Sequence, residues 1–412
     1  MYKKLWIVLS FLLIASMILM GCAPKPATPI KVDKPTTITI WYQWGDEYYK
    51  NIKPVFDEYT KLSPNVTFDL TKPDNVSDSL KVAIPAGEGP DIIGWANDQI
   101  GNQALVGNIV DFDSLGVTQD WLKKNFEPAA AAGVIWGGKI WGLPESQEGI
   151  AIVYNKALAS EKDFPSDPKN FDDLLAKAKA FAEKNPGKVL LCNQGLGNPD
   201  AYHVAPVYFG FGMPGYVDDQ GKVYLNTAEG TKAGTWMTQF KQYAPPETSH
   251  EICKTMITEG KAAAWWTGPW AIADLEKAGV DYGILPMGKP FVGIKTLMIT
   301  KNAVDRGTAE IALDVIKFFT NYENEKKVAL VNKTIPANSK ALKDSEIQAL
   351  ATVAGFGKSL NLGIPMANTP FMGALWGPVG DATMAIWNGA QTPADALAKA
   401  QKAADDAIAG MK

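Results

Sequence analysis

Between residues 37 and 95 the spacing of apolar side chains alternates between a period of two and a period of 3.6, and that alternation limits the chain to a layered fold. Thr37-Ile38-Thr39-Ile40-Trp41 is β-rich. Residues 48–62 then carry Ile52, Val55, Phe56, Tyr59 and Leu62 at helical spacing, with Pro54 expected near the first turn, where a missing N–H is tolerated. Val66-Thr67-Phe68-Asp69-Leu70 reads as a second strand, 76–84 as a helix, Gly87-Glu88-Gly89-Pro90 as a turn, and Asp91-Ile92-Ile93-Gly94-Trp95 as a third strand. A β-α-β-α-β order implies a parallel sheet covered by helices.

Further on, Val134 to Trp141 holds two short strands about Gly137-Gly138, a hairpin signal. Ile150–Asn155 and Val189–Cys192 read as strands, and Asn170 caps a helix running to about Lys184, so a second α/β set begins near residue 150. Helices are expected at 306–320, 323–332 and 393–409, the last opening on Thr392-Pro393-Ala394-Asp395. A chain of 412 residues fits two or three domains of ~100–200 residues.

The N-terminus carries an address. Lys3 and Lys4 precede sixteen uncharged residues, Leu5 to Met20, the basic and apolar regions of a secretory signal and short of the ~20 residues a membrane span needs. The run ends Leu19-Met20-Gly21-Cys22, which resembles the bacterial lipobox. That resemblance implies a signal peptide over 1–21 and lipid attachment at Cys22. Residues 22–36 then form a Pro-rich tether to a membrane.

Composition removes several functions. Of 40 basic residues only Arg306 is an arginine, which argues against a nucleic-acid reader and against a bidentate clamp on a carboxylate or phosphate. Thirteen Trp favour an uncharged ligand with flat apolar faces, although core packing uses the same residue. Arg306 is expected in a surface helix. Two cysteines, Cys192 and Cys253, remain after the signal and are expected as buried thiols. With two His and no Cys/His cluster, neither a metal site nor a cofactor is expected.

Four stretches carry a family resemblance: Ile40-Trp41-Tyr42-Gln43-Trp44-Gly45-Asp46; Gly87 to Asp98; Thr267-Gly268-Pro269-Trp270 with Lys289-Pro290-Phe291-Val292-Gly293; and Pro370-Phe371-Met372-Gly373-Ala374-Leu375-Trp376. They resemble the maltose/maltodextrin-binding proteins, family-1 extracellular solute-binding proteins of ABC importers. The resemblance covers residues 37–412. It implies a two-lobed periplasmic-binding-protein fold of the α/β class, each lobe a mostly parallel sheet flanked by helices, with a hinge and a sugar cleft. The N-lobe would be 36–146 plus 297–345, and the C-lobe 149–293 plus 350–412.

Residue by residue, Asp46 matches a sugar-hydroxyl acceptor. Trp95 and Asp98 match a stacking indole and a second acceptor just past a strand's carboxyl end, where open α/β sheets bind ligands. Glu148 matches a lobe-junction Glu, with Glu145 and Gln147 as rivals for the register. Tyr202 matches a C-lobe aromatic, and Trp270 and Trp376 match platforms whose faces meet the C–H face of a pyranose. Trp44 and Tyr42 would add aromatic surface near Asp46; Trp265, Trp266, Trp236 and Trp387 have no counterpart and read as core or groove rim. The chain departs from the pattern at Glu47 (a family Lys), Gln99 (a family Arg), and Gly377 and Gly380 (a family Tyr and Arg). Losing those cationic donors points to another α-glucoside, a longer glucan or a different oligosaccharide rather than maltose itself.

The expected function is a monomeric, extracytoplasmic, lipid-anchored binding protein that passes a neutral oligosaccharide to an ABC permease, with no nucleic-acid partner. Two other classes stay open: a binding protein for another solute such as a polyamine or metal complex, and a glycosidase using paired carboxylates.

Overall fold

The protein's structure, a computed structural model, describes residues 29–411. The signal peptide, Cys22 and the start of the tether lie outside the described residues. Within them, the tether is shorter than its sequence suggests. The Ile30 N–H donates to Asp314 at 3.0 Å, and Asn65 Nδ2 donates to the Val32 carbonyl at 2.8 Å. From Ile30 onward the chain is fastened to the body, because two side chains capture backbone groups that an extended tether would leave to water.

The first sheet grows from the predicted alternation. Strands β1 (Thr36–Tyr42), β2 (Val66–Thr71) and β3 (Ile92–Ala96) are joined by helices Asp46–Leu62 and Val76–Ala86, and β1 pairs in parallel with both β2 and β3. Helix Asp46–Leu62 buries Ile52, Val55, Phe56 and Tyr59, all at most 4% exposed. That burial tolerates Pro54, which sits well inside the helix and not in its first turn. Helix Val76–Ala86 starts on Asn75, whose side chain caps the Asp78 N–H, and stops at Gly87 with φ +78°.

A small hairpin, β4 (Ile135–Trp136) and β5 (Lys139–Ile140), turns on Gly137 and Gly138, both at positive φ as a tight two-residue turn requires. β6 (Leu143–Glu148) ends in the first sheet. After Gly149 and Ile150 the chain enters β7 (Ala151–Asn155), which belongs to the second sheet with β8 (Val189–Cys192), β9 (Ala262–Thr267) and β10 (Tyr282–Leu285). β11 (Phe291–Ile299) returns to the first sheet between β6 and β3, with β12 (Ile335–Pro336) beyond β6 and β13 (Ile364–Pro365) on the start of β11.

The sheets are mixed where mostly parallel sheets were expected. β11 runs antiparallel to β3 and β6, β12 to β6, and β7 to both β9 and β10. The cause is that the chain crosses between sheets at β6–β7 and β10–β11, so those strands arrive without a crossover helix. The second sheet is covered on both faces: Ile152 and Tyr154 enter one core, Ala151 and Val153 the other. A separate core fills the first sheet.

Three further expectations change. Cys192 and Cys253 form a disulfide, since strand β8 and helix His250–Thr258 bring their Cα atoms to 5.5 Å. The helix expected at 306–320 is two, Lys301–Arg306 and Ala309–Phe319, broken at Gly307, which takes φ +72°. Arg306 itself is no idle surface residue. Its guanidinium donates to Asp91 at 2.9 Å and to the Gly87 carbonyl at 3.2 Å, and Asp91 is 1% exposed. The lone arginine therefore neutralises a buried carboxylate beneath β3.

Candidate functional site

The carboxyl end of β3 leads into a single 3-10 turn, Asn97–Gln99, which presents Asp98. Asp98 is 6% exposed. One of its oxygens accepts from Gln99 Nε2 at 2.7 Å and from the Trp376 indole N–H at 3.0 Å. Trp376 opens the helix Trp376–Trp387, which packs on the core of the second sheet. The Asp98–Trp376 bond thus joins the end of a first-sheet strand to an element of the other body. Burial pushes the Asp98 carboxyl up to about 6; the hydrogen bonds from Gln99 and Trp376 oppose that, and the negative field of Glu148 adds to it.

An aromatic wall stands beside this acid. The Phe291 ring, 3% exposed, lies edge-on to Trp376 at 5.9 Å and stacked with Tyr202 at 5.9 Å. Tyr202 lies 6.1 Å from Trp270. Trp270 is half-buried, and its ring covers Gly268 so closely that a Cβ there would come within 2.2 Å of it. The Tyr202 hydroxyl is buried without a protein partner. Burial first, then the charges of Glu148, Asp200 and Asp98, pushes it well above the usual phenol range. Behind the wall, Asp200 caps helix Ala201–Gly210 and pairs with His203 Nδ1 at 2.8 Å; the His203 ring meets Trp270 edge-on at 5.8 Å.

Glu148 closes the site from the end of β6. Its carboxylate is 3.2 Å from Lys295 Nζ, and both side chains are nearly buried. Lys295 also lies 4.1 Å from the centre of the Tyr48 ring. The Tyr48 hydroxyl donates to Glu145, whose carboxyl burial pushes up to about 7 against the opposing charge of Lys295. Asp98, Glu148, Tyr202, Trp270 and Trp376 are therefore neighbours in one cluster.

The other expected residues fall differently. Trp44 is 3% exposed, stacked between Tyr42 and Tyr48, and its indole covers Gly94. It is packing, and offers no open aromatic surface beside the helix start. Trp95, 7% exposed and about as buried as Asp98, packs into the first core. Asp46 opens its helix, but its side chain lies outside what the structure describes. Trp236, Trp265, Trp266 and Trp387 are at most 2% exposed and belong to the core.

Sequence reasoning missed Phe291 and Lys295 as site residues and left Glu145 as a rival for register. A signal was present for one of them: Lys295 interrupts the otherwise uncharged strand Phe291–Ile299. β11 also brings one ammonium, Lys295, beside Glu148, while Glu47, Gln99, Gly377 and Gly380 stand where the family pattern has other residues. Among the described residues no group of three or more His, Cys, Asp or Glu could hold a metal ion, and no helix is long and apolar enough to cross a membrane.

Contacts between the two bodies frame the cluster. The Gly101 N–H donates to the Asn368 carbonyl at 2.9 Å, and Asn368 Nδ2 donates to the Gly133 and Ile135 carbonyls. A Cβ on Gly101 would lie 2.3 Å from the Pro370 nitrogen, so this approach needs glycine. Glu47 also pairs with Lys277, at the end of helix Ile272–Lys277, at 2.8 Å, and with Lys50 on its own helix.

Known proteins share sequence and fold with this chain. A maltotriose-binding protein of Pyrococcus abyssi is 30% identical over 359 residues, covering 83% of this chain and 75% of the relative. A galactooligosaccharide-binding protein of Bacillus subtilis is 26% identical over 418 residues, covering 95% and 94%. The maltose/maltodextrin-binding domain of Bdellovibrio bacteriovorus bound to maltotriose superposes with a TM-score of 0.81 at 22% identity, covering 91% of this chain and all of that one, and so shares its fold. Residues 55–355 match the family described as bacterial extracellular solute-binding protein, and the chain belongs to that family.

Proposed function

We propose that this protein is the substrate-binding component of an ABC importer and takes a neutral oligosaccharide, of the maltodextrin type or a related α-glucoside, between two lobes. The observation that carries the reading is the bond from Trp376 to Asp98, which sets a buried hydroxyl acceptor against an aromatic wall of Trp270, Tyr202 and Phe291. Aromatic faces bury the C–H side of a pyranose while carboxylates accept its hydroxyls. Trp44 and Trp95, packed in the first core, would support the site from behind, and Asp46 would add a hydroxyl acceptor from the start of its helix.

The lobes would be 36–146 plus 297–345 and 149–293 plus 350–412, hinged where β6 and β11 leave their sheet. Sugar would shift the population toward the closed form by as much as its affinities for the two forms differ. Family membership places the chain outside the cytoplasm; a signal over 1–21 and lipid on Cys22 would hold it at a membrane beside the permease. The acids would bind without hydrolysing.

Titration of intrinsic Trp fluorescence with maltotriose, a galactooligosaccharide and spermidine tests this. Saturable binding of a sugar, with no glucose released on long incubation, is expected. A response to spermidine alone would favour the second reading, a cationic solute, which the excess of cleft carboxylates over Lys295 keeps open. Release of glucose would overturn the transport role.

A further inference from the structure

The buried charges where β6 meets β11 do not balance. The charge of Glu148 acts on both Asp98 and Glu145, and Lys295 is the cation paired with Glu148 there. Pairing of β6 with β11 steps from Lys295 opposite Ser146 to Thr296 opposite Pro144, so Glu145 is an extra residue in the strand. Such a bulge re-aims a side chain. Here Glu145 meets Tyr48 from helix Asp46–Leu62 and Trp44 from the loop before it, with Lys295 from β11, Glu148 on its own strand and Glu325 from helix Tyr322–Asn332 within its field. Lys295 is ion-paired with Glu148 at 3.2 Å and sits over the ring of Tyr48, whose hydroxyl Glu145 holds, so its charge also acts on Glu145 in a medium where charges are screened poorly.

We infer that Lys295 is a positioning residue of the binding site: ion-paired with Glu148 and seated over Tyr48, which holds the bulged Glu145, it keeps this carboxylate cluster as charged hydroxyl acceptors and thereby sets the pH range of ligand binding. This rests on the sugar-binding reading above. A protonated carboxyl gives up acceptor capacity, so what keeps the cluster charged keeps it able to hold hydroxyls. Burial already works against that charge at Glu145, and Lys295 is the strongest influence opposing it.

The test uses the whole protein as wild type, Lys295→Met, Lys295→Arg and Glu145→Gln. Affinity for maltotriose is measured calorimetrically between about pH 5 and about pH 9. Infrared difference titration of the ligand-free protein follows the carboxyl band that Glu145→Gln removes. We expect Lys295→Met to bind about ten-fold more weakly near neutral pH, the effect of moving a carboxyl's titration by about one pH unit, and to recover toward alkaline pH. Its Glu145 band should titrate at higher pH. Lys295→Arg should keep the wild-type profile, and Glu145→Gln should extend binding to lower pH. A Lys295→Met loss equal at every pH, or none, overturns the inference. If that variant does not fold, an unchanged acid limb in Glu145→Gln overturns it instead. Wild type that binds no neutral sugar sinks the sugar reading, and the infrared titration then decides the charge coupling alone: an unmoved Glu145 band refutes it.

Discussion

Asp98 holds its charge at a cost to stability. Its carboxyl is raised from the ordinary aspartate range to about 6, so the folded state binds a proton more tightly than the unfolded chain does. The sign follows: ionising it destabilises the fold above about pH 6, and the penalty fades as the pH falls toward 4. Asp98→Asn should therefore melt no lower than wild type at pH 8. It should gain up to a few kcal/mol of stability, since each pH unit between folded and unfolded titration is worth about 1.4 kcal/mol. It should also bind sugar more weakly, as paired thermal melts and titrations would register. A melting temperature that drops would mean the carboxylate is structural. Trp270→Ala and Trp376→Ala should each weaken binding by ~1–3 kcal/mol, the scale of burying an aromatic side chain; unchanged affinity with lost stability would mark them as core. At this scale the sequence was readable where a residue's neighbours are local. Asp98 and Trp376 were legible as candidates from their motifs. That Trp44 lies over Gly94 and that both Trp44 and Trp95 pack into the first core depends on contacts that local pattern does not report.

Single elements followed their periodicity closely. Strands β1, β2, β3, β7 and β8 and helices Val76–Ala86, Phe171–Lys184, Tyr322–Asn332 and Pro393–Ala409 form where apolar spacing and capping residues put them. The errors occurred where one element answers to another. Pro54 lies mid-helix because the buried face of that helix outweighs one missing hydrogen bond. The disulfide between Cys192 and Cys253 ties β8 to helix His250–Thr258 across a separation of 61 residues. Loop closure of that size is worth about 2–4 kcal/mol. Replacing both cysteines by alanine should lower the unfolding free energy from denaturant titration by that amount, with a correspondingly lower midpoint, while leaving sugar affinity near wild type. An equal midpoint for oxidised, reduced and substituted protein would show that the bond constrains nothing.

At the scale of the whole molecule, one contact between the two bodies is an exposed ion pair, Glu47 with Lys277. Lys277 and Lys50, hydrogen-bonded to Glu47, hold its carboxyl down at about 2, so the pair stays charged at neutral pH. Glu47 and Lys277 are exposed enough for salt to screen their attraction. Lys277→Glu should loosen closure at low ionic strength and lose its effect in high salt. Adding Glu47→Lys should restore wild-type compaction, measured by small-angle scattering with and without sugar. A single variant indistinguishable from wild type in low salt would dismiss this contact. The sequence by itself determined the α/β layering, the order of most elements and the aromatic and acidic candidates, because these depend on spacing along the chain. Only the tertiary structure decided the antiparallel returns of β7 and β11, the cysteine pairing, the burial of Trp44 and Trp95, and the arrival of Lys295 beside Glu148. Each of these is a contact between segments far apart in sequence, set by how sheets exchange strands and not by the period of any one of them.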